Sequence, residues 1–364
     1  MTGDGNPMHT DPRQVVASDW PADGTADDKL LFLLNYAVLA PSILNAQPWH
    51  FAVGDGVVEL SEDRGRRLKV VDPEGREAAI SCGAALFNLC VAARSFGLAP
   101  DVELLGEAAA PAVARVRLGQ QSKPASLEDR QLRDAIPERR TSRGGFEERK
   151  VPREVLGRLE HAAAAEGARF AWTDAVGRRK EIAALVAEAE RAHLSNPDYR
   201  NELRDWLLDR RRERHESLRE AYYRMGTLAG RTAIHPRGSD EVTMEAASLG
   251  RAFASEESAA ARLQALVAAS PVVALVSTDH DTPTDWLRAG VALERVLLTA
   301  TAEGLSASFL NAPTELRRLR NRLSSLLGAE GHPQVLMRLG YHPPVSATPR
   351  RPLAEVVSLR TSSV

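Results

Sequence analysis

"LAPSILNAQPWHF", residues 39–51, sets a run of amide and hydroxyl groups between two apolar segments. Proline lacks a backbone donor and fixes φ, so Pro41 and Pro48 rule out a continuous helix. What remains is a short, stiff loop that carries Ser42, Asn45 and Gln47 and closes on Trp49. Such a loop is suited to holding hydrogen-bonding groups still. Before it, "DKLLFLLNYAVLA" (28–40) has helical spacing and stops at Pro41. After it, "HFAVGDGVVELSED" is two β-prone runs around Asp55-Gly56, a hairpin signal.

Farther along, "AAISCGAALFNLCVAARSFGL" is a nearly all-apolar helical pattern ending at Gly97. "DVELL" and "ARVRLG" read as strands, and residues 119–127, "GQQSKPASL", as a linker. Then come a helix ("EVLGRLEHAAAAEG"), a strand ("ARFAWTD") and a long charged helical region, 177–226, interrupted at Asn196-Pro197. "PVVALVST" is an apolar strand, "DWLRAGVALERVLLTATAEGL" a second long helix and "QVLMRLGYH" another strand. Mixed helices and strands place the chain in the α/β or α+β class.

The two long helices resemble each other. "GAALFNLCVAARSFGL" from Gly83 and "GVALERVLLTATAEGL" from Gly290 align without gaps. Gly83/Gly290, Ala85/Ala292, Leu86/Leu293, Ala93/Ala300, Gly97/Gly304 and Leu98/Leu305 are identical. Chance gives about one or two such matches between Ala- and Leu-rich helices of this length. A strand-like stretch follows both copies. The pattern predicts two related α/β halves joined near residues 119–130.

Composition bounds the function. The chain has 364 residues, 43% hydrophobic and 26% charged, with a formal net charge of −2. That balance offers no electrostatic reason for a nucleic-acid or membrane partner. No apolar run approaches the roughly 20 residues that span a bilayer, and the opening "MTGDGNPMHTDPRQVV" lacks the basic and apolar regions of a secretory signal. A cytoplasmic protein is the expectation, with residues 1–27 a disordered or loosely tethered tail. Cys82 and Cys90 sit in one apolar helical pattern and read as buried thiols.

A second dense stretch is "PERRTSRGGFEERKVP" (137–152). Arg139, Arg140 and Arg143 surround the hydroxyls of Thr141 and Ser142, and guanidinium forks with small hydroxyl donors suit a phosphate monoester. Read alone, such a stretch is more often a solvated charged loop. "TPRRPLAEVV" adds Arg350 and Arg351 near the C-terminus. No HExxH, paired CxxC, Walker A, GxSxG or GxGxxG occurs, so neither metal ligands nor a side-chain catalyst is expected. His50 reads as structural.

Taken together, "APSxxNxQPW", "RRTSR", "EGLSASFLN", and "GHPQ…RLGY" with "TPRRPLAEVV" resemble the FMN-dependent nitroreductase family, and "DPEGREAAISCGAALFNL" its two-lobed, actinobacterial Acg-like branch. The resemblance covers roughly residues 28–358. It implies an α+β nitroreductase-like fold with FMN at a dimer interface and NAD(P)H as transient reductant. The acceptor would be a small molecule such as a nitroaromatic or quinone. In the family one subunit carries the Arg loop first and the Pro-Ser loop later. Here the first half has only the Pro-Ser loop and the second only the Arg loop, with "AEGARFAWTDA" where a second Pro-Ser loop would stand. Complementary half-sites imply an intramolecular pseudo-dimer, lobes 28–125 and 126–364, either monomeric or a weak homodimer.

By resemblance, Arg139, Thr141 and Arg143, with Arg140, would contact the phosphate or ribityl chain, and Arg351 with Arg350 would complete a phosphate clamp. Pro41, Ser42, Ile43 and Asn45 would lie along the flavin, with Gln47 and Trp49 bracing that loop. Phe309, Leu310 and Asn311 match the segment behind the ring, where a backbone N–H can donate to flavin N5. An insertion at about 195–250, including glycine-rich 225–250, is expected as a lid. It would either gate substrates or seal the cofactor in a non-catalytic FMN-sequestering protein of a stress or dormancy response.

Overall fold

A computed structural model of the chain describes residues 11–105, 111–120, 124–213 and 255–360. Helix α1 (Ala26–Ala37) opens with a reciprocal cap, in which the Asp28 N–H donates to Thr25 Oγ1 (3.1 Å) and the Thr25 N–H to the Asp28 carboxylate (2.9 Å). After the loop at 41–48 come β1 (Trp49–Gly54) and β2 (Val57–Glu62), joined at Asp55 (φ 56°) and Gly56 (φ 70°). Two consecutive left-handed residues match strand twist in a two-residue hairpin, as the Asp-Gly pair predicts. Helix α2 (Arg76–Ser95) follows, capped by Asp72, whose carboxylate accepts from the N–H groups of Glu77 (3.1 Å) and Ala78 (2.9 Å). Strands β3 (Leu98–Leu104) and β4 (Ala112–Gln120) complete the first half.

The second half contains α3 (Leu127–Glu138), α4 (Arg153–Ala165), β5 (Arg169–Thr173), α5 (Val176–Leu194), α6 (Pro197–Glu213) and α7 (Glu256–Ala269). Then come β6 (Val272–Thr278), α8 (Pro283–Ala302), β7 (Ser306–Phe309), α9 (Arg317–Leu327), β8 (His332–Gly340) and β9 (Val357–Leu359). Helix α3 is an addition to the sequence reading. Its buried residues are only Leu132, Ala135 and Ile136, a narrow stripe on a charged segment that carries Pro137 in its last turn.

The two sheets have the same strand plan. One runs β3-β4-β2-β1-β9 and the other β5-β6-β8-β7. Matching β1 to β5, β2 to β6, β3 to β7 and β4 to β8 gives identical neighbours, all antiparallel. The extra strand, β9, is the end of the second half, which crosses to pair parallel with β1 at Phe51↔Val357.

Between the sheets, α2 packs against α8. Cys82 and Cys90 are buried in α2. The expectation that no segment reaches bilayer-spanning length needs amending, because α2 is long and apolar enough by itself. Nearly all of it is enclosed by protein, which makes it a core helix. The tail expectation also changes for residues 11–25. Trp20 stacks on Phe96 with centroids 4.5 Å apart, and Pro12 is buried. Residues 1–10 of that tail, 121–123 of the linker and 214–250 of the insertion, with the glycine-rich stretch, lie outside the described residues.

Candidate active site

The loop at 41–48 is held in a conformation that costs energy. Leu44 (φ 44°), Asn45 (φ 53°) and Gln47 (φ 51°) are all left-handed without being glycine, each costing of order 1 kcal/mol or more. Its hydrogen bonds over-determine it. The Gln47 N–H donates to Ser42 Oγ (3.0 Å) and the Ile43 N–H to Ser81 Oγ of α2 (3.3 Å). Arg350 donates to the carbonyls of Leu39 (2.9 Å) and Ala40 (3.0 Å) and to Asn45 Oδ1 (3.2 Å). Gln47 Oε1 accepts from the Arg351 N–H at 2.9 Å. Trp49 is fully buried beneath the loop, and its indole N–H, expected to need one acceptor, has none among the described residues.

The second loop is tied to the opposite sheet. The Ser142 N–H donates to Ala307 O (2.9 Å), Thr141 bridges Ala307, and the Glu147 N–H donates to Tyr341 O (2.9 Å). It therefore runs beside β7 and the end of β8.

Both loops face one cavity of about 430 Å³. Pro41, Ser42 and Ile43 form one wall, Thr141 and Arg143 another, and the segment Ser308–Asn311 a third. Glu77, Ile80 and Ser81 from α2 and Leu293 from α8 make the floor. Over it lie Tyr199 from α6 and Leu263 and Leu266 from α7.

The other expected site residues lie off this lining. Arg139 is buried beside Glu294 (3.7 Å), and Arg140 donates to Pro137 O and Arg139 O (3.0 Å for the latter). Arg351 reaches Asp63 (3.4 Å) and Glu355 (3.3 Å). Asn45, Arg350 and Arg351 thus clamp the Pro-Ser loop to the C-terminal segment instead of facing the cavity. Carbonyl and carboxylate partners already occupy these groups. The N–H of Leu310 is taken by Leu336 O (2.8 Å). The Asn311 side chain bridges the halves, donating to Glu77 Oε2 (2.9 Å) and accepting from the Leu336 N–H (3.1 Å).

Two groups escaped sequence reading. Glu77 lines the cavity beside Arg76, and burial pushes its carboxyl up, against the pull of the guanidinium. Arg338 lines it from the middle of β8 and is 1% exposed. Its signal was present: one arginine inside the apolar run "QVLMRLGY". Arg338 Nη2 donates to Gly144 O (2.7 Å), and its guanidinium lies 4.6 Å from the Phe146 ring centroid.

The inserted helices are anchored across the halves. The Glu202 carboxylate on α6 accepts from three successive backbone N–H groups of the first half, Lys69 (2.5 Å), Val70 (2.9 Å) and Val71 (2.8 Å). Trp206 donates to Leu44 O (3.4 Å), and Arg66 lies 5.1 Å from its ring centroid.

A family model described as "Nitroreductase family" matches residues 136–341. The Mycobacterium tuberculosis protein "Putative NAD(P)H nitroreductase Rv3131" is 32% identical over 330 residues, 89% of this chain and 90% of that protein. From the same organism, "Putative NAD(P)H nitroreductase acg" is 31% identical over 343 residues, 92% and 96% of the two chains. Among solved structures, the FMN-dependent nitroreductase NfnB of Mycobacterium smegmatis in complex with NADPH aligns with a TM-score of 0.36 and 16% identity, over 64% of this chain and 99% of that one.

Proposed function

The chain belongs to the nitroreductase family, and from that premise we propose that its inter-half cavity binds one FMN. On this reading the protein is an FMN-dependent NAD(P)H oxidoreductase. We read its two halves as an internal pseudo-dimer in which each keeps one half-site. One observation carries this reading. The Pro-Ser loop of the first half and the Arg loop of the second, distant in sequence, wall the same cavity.

The residues present suit the cofactor. Arg143 and Thr141 offer a cation and a hydroxyl for phosphate or ribityl oxygens. Pro41, Ile43, Ile80 and Leu293 offer apolar surface for a planar ring. Bound FMN would supply hydride transfer from NAD(P)H to a nitroaromatic, quinone or similar acceptor, with Arg143 and Thr141 holding its phosphate or ribityl end. The protein's part is to bind, orient and exclude water. The strained loop at 42–47, pinned by Arg350 and Ser81, presents a preorganised wall.

Anaerobic addition of NADPH or NADH to the FMN-loaded protein tests the reading. Flavin absorbance is expected to bleach and to return with a nitroaromatic or quinone. Failure to bind FMN at all would overturn it.

A second reading has its own support. The insertion starts by docking on the first half through Glu202 and Trp206, so Tyr199 and α7 stand over the cavity. Such a lid suits a protein that sequesters FMN. Rapid bleaching by reduced nicotinamide would exclude this alternative.

A further inference from the structure

Central strands of a buried sheet rarely carry charge. On β8, Val335, Leu336, Met337 and Leu339 are fully buried, yet Arg338 stands among them. Two other arginines, Arg76 and Arg139, are comparably buried, and each has a carboxylate beside it, Glu77 and Glu294. Arg338 has none among the described residues. Its Nη2 is satisfied by Gly144 O, but Nε and Nη1 are buried without acceptors among the described residues. Burial first, and Arg143 second, push its pKa down to about 10, which leaves it a cation at neutral pH. A charge kept in that position calls for an anion. The cavity it lines is where one can enter, beside Arg143, Thr141 and Ser308.

We propose that Arg338 is a cofactor-binding residue that engages an anionic oxygen of the flavin nucleotide, so that Arg338 and Arg143 form a paired cationic end of the cavity. This rests on the FMN reading above and adds a residue to it. Two oxygens share the required chemistry: the phosphate, and the C2 carbonyl of the ring, which takes up negative charge on reduction. A guanidinium with two unsatisfied donors can serve either.

The test titrates apo wild type, Arg338→Met and Arg338→Lys with FMN and with riboflavin, following flavin fluorescence, with circular dichroism as the check on folding. Wild type is expected to bind FMN. Its failure to do so would overturn the FMN reading, and this inference with it. Given wild-type binding, Arg338→Met should weaken FMN about tenfold or more, the scale of a lost charge-assisted hydrogen bond. Arg338→Lys should recover part of that loss while remaining weaker than wild type. A phosphate contact leaves riboflavin affinity unchanged in Arg338→Met. A ring contact weakens both ligands and lowers the midpoint potential of bound FMN. Either folded variant binding FMN as tightly as a competent wild type overturns the proposal, and Arg338→Lys decides alone if Arg338→Met does not fold.

Discussion

Gly83 and Gly290, the first matched pair of the internal repeat, meet face to face where α2 crosses α8. A Cβ on Gly83 would stand 2.0 Å from Leu287 O and 3.0 Å from Gly290 Cα. A Cβ on Gly290 would stand 2.0 Å from Ile80 O and 2.9 Å from Gly83 Cα. Ile80 and Leu287 are themselves equivalent under the alignment that pairs the glycines. The contact is therefore reciprocal, as across a two-fold axis between identical subunits. The glycines are present because the two backbones touch.

Substitution at that crossing should be costly. Gly83→Ala or Gly290→Ala puts a methyl group into a backbone carbonyl, and backbone on both sides cannot rotate away. Each is expected to destabilise the fold by about 3 kcal/mol, read as a lowered urea midpoint. FMN affinity should fall as well, because Ile80 and Leu293 on these helices line the cavity. Wild-type stability in both variants would show that the helices can separate freely.

Glu294 predicts a pH dependence. It is fully buried in α8, and burial pushes its carboxyl up to about 7 despite Arg139 at 3.7 Å. Burial likewise lowers the pKa of Arg139. The unfolded carboxyl titrates near 4.5. Between that value and about 7 the folded state holds a proton the unfolded state has released. The resulting stability is complete below pH 4.5 and lost as pH rises through about 7. Melting temperature between pH 5 and 8 should fall with pH in wild type by more than in Glu294→Gln. Parallel profiles would count against this titration.

Much of the fold was legible because its signals are local. Asp55-Gly56 marks a hairpin through two left-handed φ angles, and Gly97 and Gly304 end their helices at φ 79° and 74°. The repeat was visible as matched side chains, and the same strand order in both sheets repeats it in three dimensions. The site was legible only in part. Pro41, Ser42, Ile43, Thr141, Arg143, Leu310 and Asn311 line the cavity, whereas Arg139, Arg140, Arg350 and Arg351 do not. Sequence reports that a cation is present but not which carbonyl or carboxylate folds against it. Arg338 is the converse case. Its strand pattern marks burial, and only the structure shows that no carboxylate among the described residues accompanies it.

Arg350 separates bracing from direct contact. It holds Leu39 O, Ala40 O and Asn45 Oδ1, and it lies off the cavity lining. Arg350→Ala should loosen the Pro-Ser loop and cost about 1–3 kcal/mol of stability. If the arginine acts only through the loop, affinities for FMN and riboflavin should fall by similar factors. A loss confined to FMN would restore Arg350 to the phosphate clamp expected from sequence.

Glu202 tests whether the inserted helices control access. Its carboxylate receives three backbone N–H groups from residues 69–71, a concentration of donors that makes it the main polar tie between α6 and the first half among the described residues. Trp206 and Tyr199 flank that tie, the first against Leu44 O and the second in the cavity wall. Glu202→Ala leaves three donors without their acceptor and should release α6 while both sheets stay folded. Stopped-flow mixing of the FMN-loaded protein with excess NADPH reads the consequence. If α6 gates the cavity, flavin bleaching should accelerate several-fold in the variant and FMN should dissociate faster. If both rates match wild type, α6 does not limit entry, and the sequestration reading loses its structural support.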